Sequence, residues 1–120
     1  MNERDEVRLR DMLDEACRAR RFVQGKTRAD LDAGDQILGF AVIRALEIIG
    51  EAANKVSQET RNTLPQIRWG DIIGMRNRVI HNYANVDYNI VWDVVVYDLP
   101  VLITALEALF PNQEEEDRAS

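Results

Sequence analysis

The chain has 120 residues, 46% of them hydrophobic and 30% charged, enough for one core of four or five helices and too little for a separate regulatory domain. Its net charge of −6 argues against a general nucleic-acid coat, because nonspecific binding draws its affinity from neutralised phosphates. A single cysteine excludes an intrachain disulfide or a cysteine-based zinc knuckle; with no signal-peptide core at Met1–Glu6 and no uninterrupted apolar run near the roughly 20 residues of a membrane span, a cytoplasmic protein without a membrane partner is expected.

From Glu3 to Val23 the apolar residues Leu9, Met12, Leu13, Ala16, Ala19 and Val23 recur at spacings of three and four, the pattern of an amphipathic surface helix in which Cys17 serves as a buried small hydrophobe. Gly25 ends it, and Thr27-Arg28-Ala29-Asp30 has the form of a capped helix start, good for a short turn before Gly34. A second long helix is predicted from near Asp35 to Val56. It carries apolar residues on nearly every face (Ile37, Leu38, Phe40, Val42, Ile43, Leu46, Ile48, Ile49), so it must be covered on more than one side and also suits a dimer seam. Its charged residues Arg44, Glu47 and Glu51 share one face, either as a mutual ion-pair ladder or as support beside an active site.

Leu64-Pro65-Gln66 punctuates the chain, and Trp69-Gly70-Asp71 starts a predicted helix through Ile72, Ile73, Met75, Val79 and Ile80. After a connection at Tyr83–Val86, Asp87 is a good N-cap for a final helix to Phe110, although Val91–Tyr97 would pass for a strand on propensity. Pro100 should kink that helix, since it cannot donate a backbone hydrogen bond. The domain assignment is therefore a helical unit over 1–111 and an acidic tail over 112–120 that is expected to be disordered. The tail holds four acids and one base, so without it the charge is −3. Between Arg44 and His81 the sign reverses, with Arg44, Lys55, Arg61, Arg68, Arg76 and Arg78 against Glu47, Glu51, Glu59 and Asp71, which suits a phosphate site of limited size.

The one histidine, His81, lies five residues after Arg76, beside Asn77 and Arg78 and two residues before Tyr83. A lone histidine near a helix end is ordinarily a solvated or capping residue. Here, however, the run from Trp69 through Arg76-Asn77-Arg78-Val79-Ile80-His81-Asn82-Tyr83, with Val86-Asp87 and Val91-Trp92 after it, resembles the Arg-x4-His-x-Tyr motif of the HepT-like branch of HEPN proteins. Ile67, the segment Arg44-Ala-Leu-Glu47-Ile-Ile-Gly50-Glu51-Ala52 and Asp98-Leu99-Pro100 also resemble that branch, so the likeness spans most of residues 1 to 110. It implies an all-α, HEPN-type antiparallel helical bundle that works as a homodimer or a higher oligomer. It also implies an endoribonuclease toxin of a type II/VII-like toxin–antitoxin pair, acting on tRNA or mRNA. The implied partner is an MntA-type nucleotidyltransferase antitoxin that AMPylates Tyr83.

The residue types suit that chemistry. Metal-independent RNA cleavage needs a base for the 2′-hydroxyl, a cation for the charge growing on phosphate and an acid for the leaving 5′-oxygen, and no cofactor. His81, with an unperturbed pKa of about 6.5, can be base or acid. Arg76 supplies a permanent forked cation, and Asn77 can hold the phosphate or the imidazole. Arg78, Arg44, Glu47 and Glu51 are the candidate supporting residues. Positions five apart on one ideal helix lie roughly 140° apart around it, so the set needs either a helix break near His81 or a two-fold axis that pools both chains' residues. The rival reading, favoured by the net acidity, is a non-catalytic binding module or substrate-binding subunit for the nucleotidyltransferase.

Overall fold

The computed structural model describes residues 1–32, 36–82 and 85–111, with the side chains of His81 and Asn82 outside the described set. The expected helix start at Asp35 and the acidic tail 112–120 also lie outside it. Helix α1 (Glu3–Phe22) begins at Asn2, whose side chain accepts the Asp5 N–H at 2.8 Å, with acids in its first turn and Arg20 and Arg21 in its last, as the helix dipole favours. Leu9, Met12, Ala16, Ala19 and Val23 form its buried stripe. Cys17 falls beside that stripe and is half-buried rather than buried; burial, followed by Glu107 and Asp14, pushes its thiol pKa up.

The chain reverses at Gly25, whose φ of 74° is a left-handed conformation natural to glycine. Asp30 accepts the Thr27 N–H at 2.7 Å, opening a 3-10 turn over Arg28–Leu31. Helix α2 (Gln36–Lys55) then runs back along α1 and is the central element, packed by α1, by the 3-10 turn and by the helices that follow. At Gly39 a Cβ would stand 2.6 Å from the Leu31 carbonyl oxygen, so glycine is what lets the turn lie on α2. One stripe stays open: Ile37 is 80% and Phe40 65% exposed, with Arg44 and Glu51 further along.

A helix that sequence periodicity does not announce, α3 (Gln58–Thr63), follows Ser57, whose hydroxyl accepts the Thr60 N–H. Arg61 turns back to donate to the carbonyls of Ala53, Asn54 and Val56, capping the end of α2. The single helix expected from Trp69 to Ile80 is two short ones, α4 (Trp69–Ile73) and α5 (Met75–Val79), that meet at Gly74. Past Val79 the chain is extended: β1 (Ile80–Asn82) pairs antiparallel with β2 (Asn85–Val86), Ile80 opposite Val86. The β-branched pair Val79-Ile80 favours leaving the helix there, and the Asp87 N–H closes the hairpin onto the Val79 carbonyl at 2.8 Å.

Asp87 caps α6 (Tyr88–Asp93), accepting from the N–H groups of Asn89 and Ile90. A π turn over Val94–Asp98 leads into α7 (Leu99–Glu107), and Val91–Tyr97 is helical despite its strand-like composition. The π turn is how the helix meets Pro100: the Leu99 N–H reaches five residues back to Val94, widening the turn ahead of a residue with no N–H. Tyr88–Glu107 is thus one helical run long and apolar enough to cross a membrane, although Asp93 and Asp98 interrupt it in sequence. Its apolar content has a use in the fold, because Val91, Val94, Val95, Leu99, Leu102 and Leu106 are buried in the same core as α1 and α2. The architecture is an all-α bundle with one short hairpin inserted before its last helix.

Candidate active site

Arg76 projects from α5 toward α2, where its Nε lies 3.9 Å from Glu47 Oε2. Arg44 Nη1 stands 3.6 Å from the same Glu47 oxygen and 3.4 Å from Glu51 Oε1. The ion-pair ladder expected on this face of α2 is therefore present, and its half-buried middle carboxylate faces Arg76. Two guanidinium and two carboxylate groups cancel formally, and Arg76, Arg44 and Glu51 are exposed. Exposed ion pairs are worth about 1 kcal/mol or less. An anion can therefore replace Glu47 on the Arg76 guanidinium at little cost.

Asn77 is exposed on α5 next to Arg76. Arg78 turns the other way, with Nη2 3.5 Å from Asp98 Oδ2, at the rim of a cavity of about 380 Å³ whose apolar lining includes Ile67, Met75 and Leu102. The structure brings Arg44, Glu47, Glu51 and Arg76 together and sets Arg78 apart from them. His81 has its backbone in β1, beyond the end of α5; its side chain and the whole of Tyr83 lie outside the described residues. Because α5 stops at Val79, the helical phase that would set Arg76 and His81 apart on one cylinder no longer applies.

Asp98 as the partner of Arg78 was missed by the sequence reading, since a pairing between two elements leaves no local periodicity. Among the described residues, no three His, Cys, Asp or Glu side chains gather as a metal-ligand set.

Comparison with known proteins places this geometry in context. Residues 12–109 match the family model described as "Ribonuclease HepT-like". A Methanocaldococcus jannaschii protein named "Putative RNase MJ0125" is 37% identical over 82 residues, which cover 68% of this chain and 71% of that protein. "Putative RNase TTE0752" of Caldanaerobacter subterraneus subsp. tengcongensis is 40% identical over 80 residues, 67% of this chain and 71% of its own. "Probable ribonuclease HepT" of Thermococcus cleftensis is 41% identical over 75 residues, 62% of this chain and 68% of its own. No solved structure matches.

Proposed function

The chain belongs to the HepT-like ribonuclease family, and from that premise we propose that it is a metal-independent endoribonuclease toxin acting on tRNA or mRNA as a homodimer. The observation that carries this reading is the intact Arg76-x4-His81 pair, with its arginine held at the surface by Glu47 and its histidine moved off the helix into β1. In the proposed reaction a histidine takes the 2′-hydroxyl proton and the 2′-oxygen attacks the adjacent phosphorus. Arg76 meets the charge that grows on the phosphate oxygens, and the 5′-oxygen leaves as it receives a proton. Two proton transfers need two groups, and a two-fold axis supplies a second His81 to a chain that encodes one. The open α2 stripe at Ile37 and Phe40, beside the Arg44–Glu47–Glu51 ladder, is the surface on which such a dimer would close.

This scheme fixes the products. Cleavage by the purified chain should persist in EDTA, leave a 2′,3′-cyclic phosphate, and fail on RNA with a blocked 2′-hydroxyl. Loss of activity in EDTA with recovery on adding Mg²⁺, or products with a free 3′-hydroxyl, would overturn it. A folded dimer that binds the nucleotidyltransferase and cleaves nothing would favour the non-catalytic binding module instead.

The proposed control lies at Tyr83. Its phenolic oxygen attacks the α-phosphorus of ATP on an MntA-type nucleotidyltransferase, pyrophosphate leaves, and the tyrosine carries AMP. A phosphodiester two residues from His81 would bring negative charge to the place the RNA phosphate must occupy. Incubation with partner and ATP should add AMP mass to the peptide holding Tyr83, and Tyr83→Phe should stay toxic when the partner is co-expressed. Tyr88 and Tyr97 on the last helical run are internal controls; AMP found on them alone would sink the assignment.

A further inference from the structure

At the end of α1 and the turn after it, Arg20, Arg21 and Lys26 gather with Trp92 and Val96 of the last helical run around a shallow depression of about 450 Å³. All three cations are exposed, and among the described residues none has a carboxylate within ion-pair distance, so three uncompensated positive charges lie together on a chain of net charge −6. The Thr27 N–H, with a smaller contribution from Lys26, holds the Asp30 carboxyl below its usual range, and Arg21 partly offsets the burial that raises the Cys17 thiol, but neither cation is paired with a carboxylate.

Arg20 is held in place by the π turn. A π turn would hand the Val95 carbonyl the N–H of Pro100, and proline has none; Arg20 Nη1 donates to that oxygen instead, at 3.3 Å. That contact anchors Arg20 at the rim of the depression it shares with Trp92, which is half-buried against the core with part of its surface on the depression.

The depression and the motif hairpin share one end of the bundle. Tyr88, two residues past β2, lies over Gly39 near the start of α2, and Asn89 accepts a 2.6 Å hydrogen bond from Arg28 Nε just after the Lys26 turn. Trp92 is one turn beyond Tyr88 on the same helix, about 6 Å along it.

We propose that this depression is a subsite for single-stranded RNA flanking the cleaved bond, Trp92 stacking on a base while Arg20, Arg21 and Lys26 hold the backbone phosphates. Cations beside an aromatic face suit a strand without defined sequence, since every base offers a π-face. The proposal rests on the ribonuclease reading, and its test separates the two.

The probe is a fluorescein-labelled single-stranded RNA of about 12 nucleotides, 2′-O-methylated to prevent cleavage, whose anisotropy is titrated with the full chain over a range of salt concentrations. Arg21→Ala/Lys26→Ala, which leaves the Arg20 contact intact, should weaken binding about tenfold and flatten the log–log salt dependence by about 1.4, roughly 0.7 per lost phosphate contact. Cleavage of a dinucleotide, too short to reach the depression, should not change. Trp92→Ala should weaken binding about tenfold and Trp92→Phe much less, because a smaller ring still stacks and still covers the core. If the wild-type chain binds and cleaves RNA while the double variant binds the probe with unchanged affinity and salt slope, the subsite is refuted and the ribonuclease reading stands. A wild-type chain that neither binds the probe nor cleaves either RNA would take down both.

Discussion

His81→Ala is expected to remain folded and to lose RNA cleavage by about 10²- to 10⁴-fold, the range that a positioned acid or base contributes. Arg76→Ala should lose at least about 10²-fold, since in the proposed reaction the charge growing on the phosphate loses the cation that meets it. Stability should barely move in the arginine variant. Arg76 is exposed and its pair with Glu47 spans 3.9 Å, so its removal lies in the range of surface ion pairs, about 1 kcal/mol or less. Arg76→Lys separates charge from shape: the ammonium keeps the charge but not the two parallel donors, so it should restore only part of the lost rate. The measurement is single-turnover cleavage of a labelled RNA, with the thermal transition recorded on the same preparations. Wild-type cleavage by His81→Ala would end the proposed mechanism, and an unfolded Arg76→Ala protein would mean that the arginine holds the fold together.

What could be read from the sequence was what local spacing encodes. The α1 stripe, the reversal at Gly25, the Thr27–Asp30 cap, the many-sided α2 and the Asp87 cap each depend on residues within a turn or two of one another, and each is present. The Arg44–Glu47–Glu51 ladder belongs to the same class. The hairpin was not legible, because Ile80 fits the apolar period of the helix before it and its pairing with Val86, closed by Asp87 on Val79, leaves no local spacing to read. Nor were the contacts that decide where the charged groups point. Arg78 meets Asp98, Arg76 meets Glu47 and Arg20 meets Val95 across elements far apart in the chain, and no periodicity records such meetings. The π turn shows the same limit from the other side: Pro100 announces a disturbance in the helix, but only the packing of α1 reveals that the freed carbonyl is taken up by Arg20.

Asp5→Ala is expected to destabilise the fold by about 3 kcal/mol at neutral pH while leaving the rate of cleavage by folded protein unchanged. Asp5 is 2% exposed, and its carboxylate accepts the Ser57 N–H at 3.0 Å, the Ser57 hydroxyl at 2.6 Å and the Thr60 hydroxyl at 2.5 Å, tying the start of α1 to α3 across 52 residues of chain. Hydrogen bonds to a charged group contribute about 1.5–3 kcal/mol each in isolation, and donors left buried without a partner add to the loss, but the two hydroxyls can turn to other acceptors, so the total stays well below the sum. The Ser57 hydroxyl, followed by that of Thr60, pulls the Asp5 carboxyl below its ordinary value against the opposing effect of burial. A carboxyl lowered on folding stabilises the native state fully above the unfolded pKa, near 3.9, and that contribution drains away as pH falls through the lower folded-state value. The wild-type chain should therefore lose stability below about pH 4 more steeply than Asp5→Ala, and the two urea midpoints should converge in acid. Equal midpoint differences at pH 7 and at about pH 2 would show that the carboxylate's charge is not what joins the helices. An activity loss in Asp5→Ala well below its melting temperature would instead tie this end of the bundle to the site.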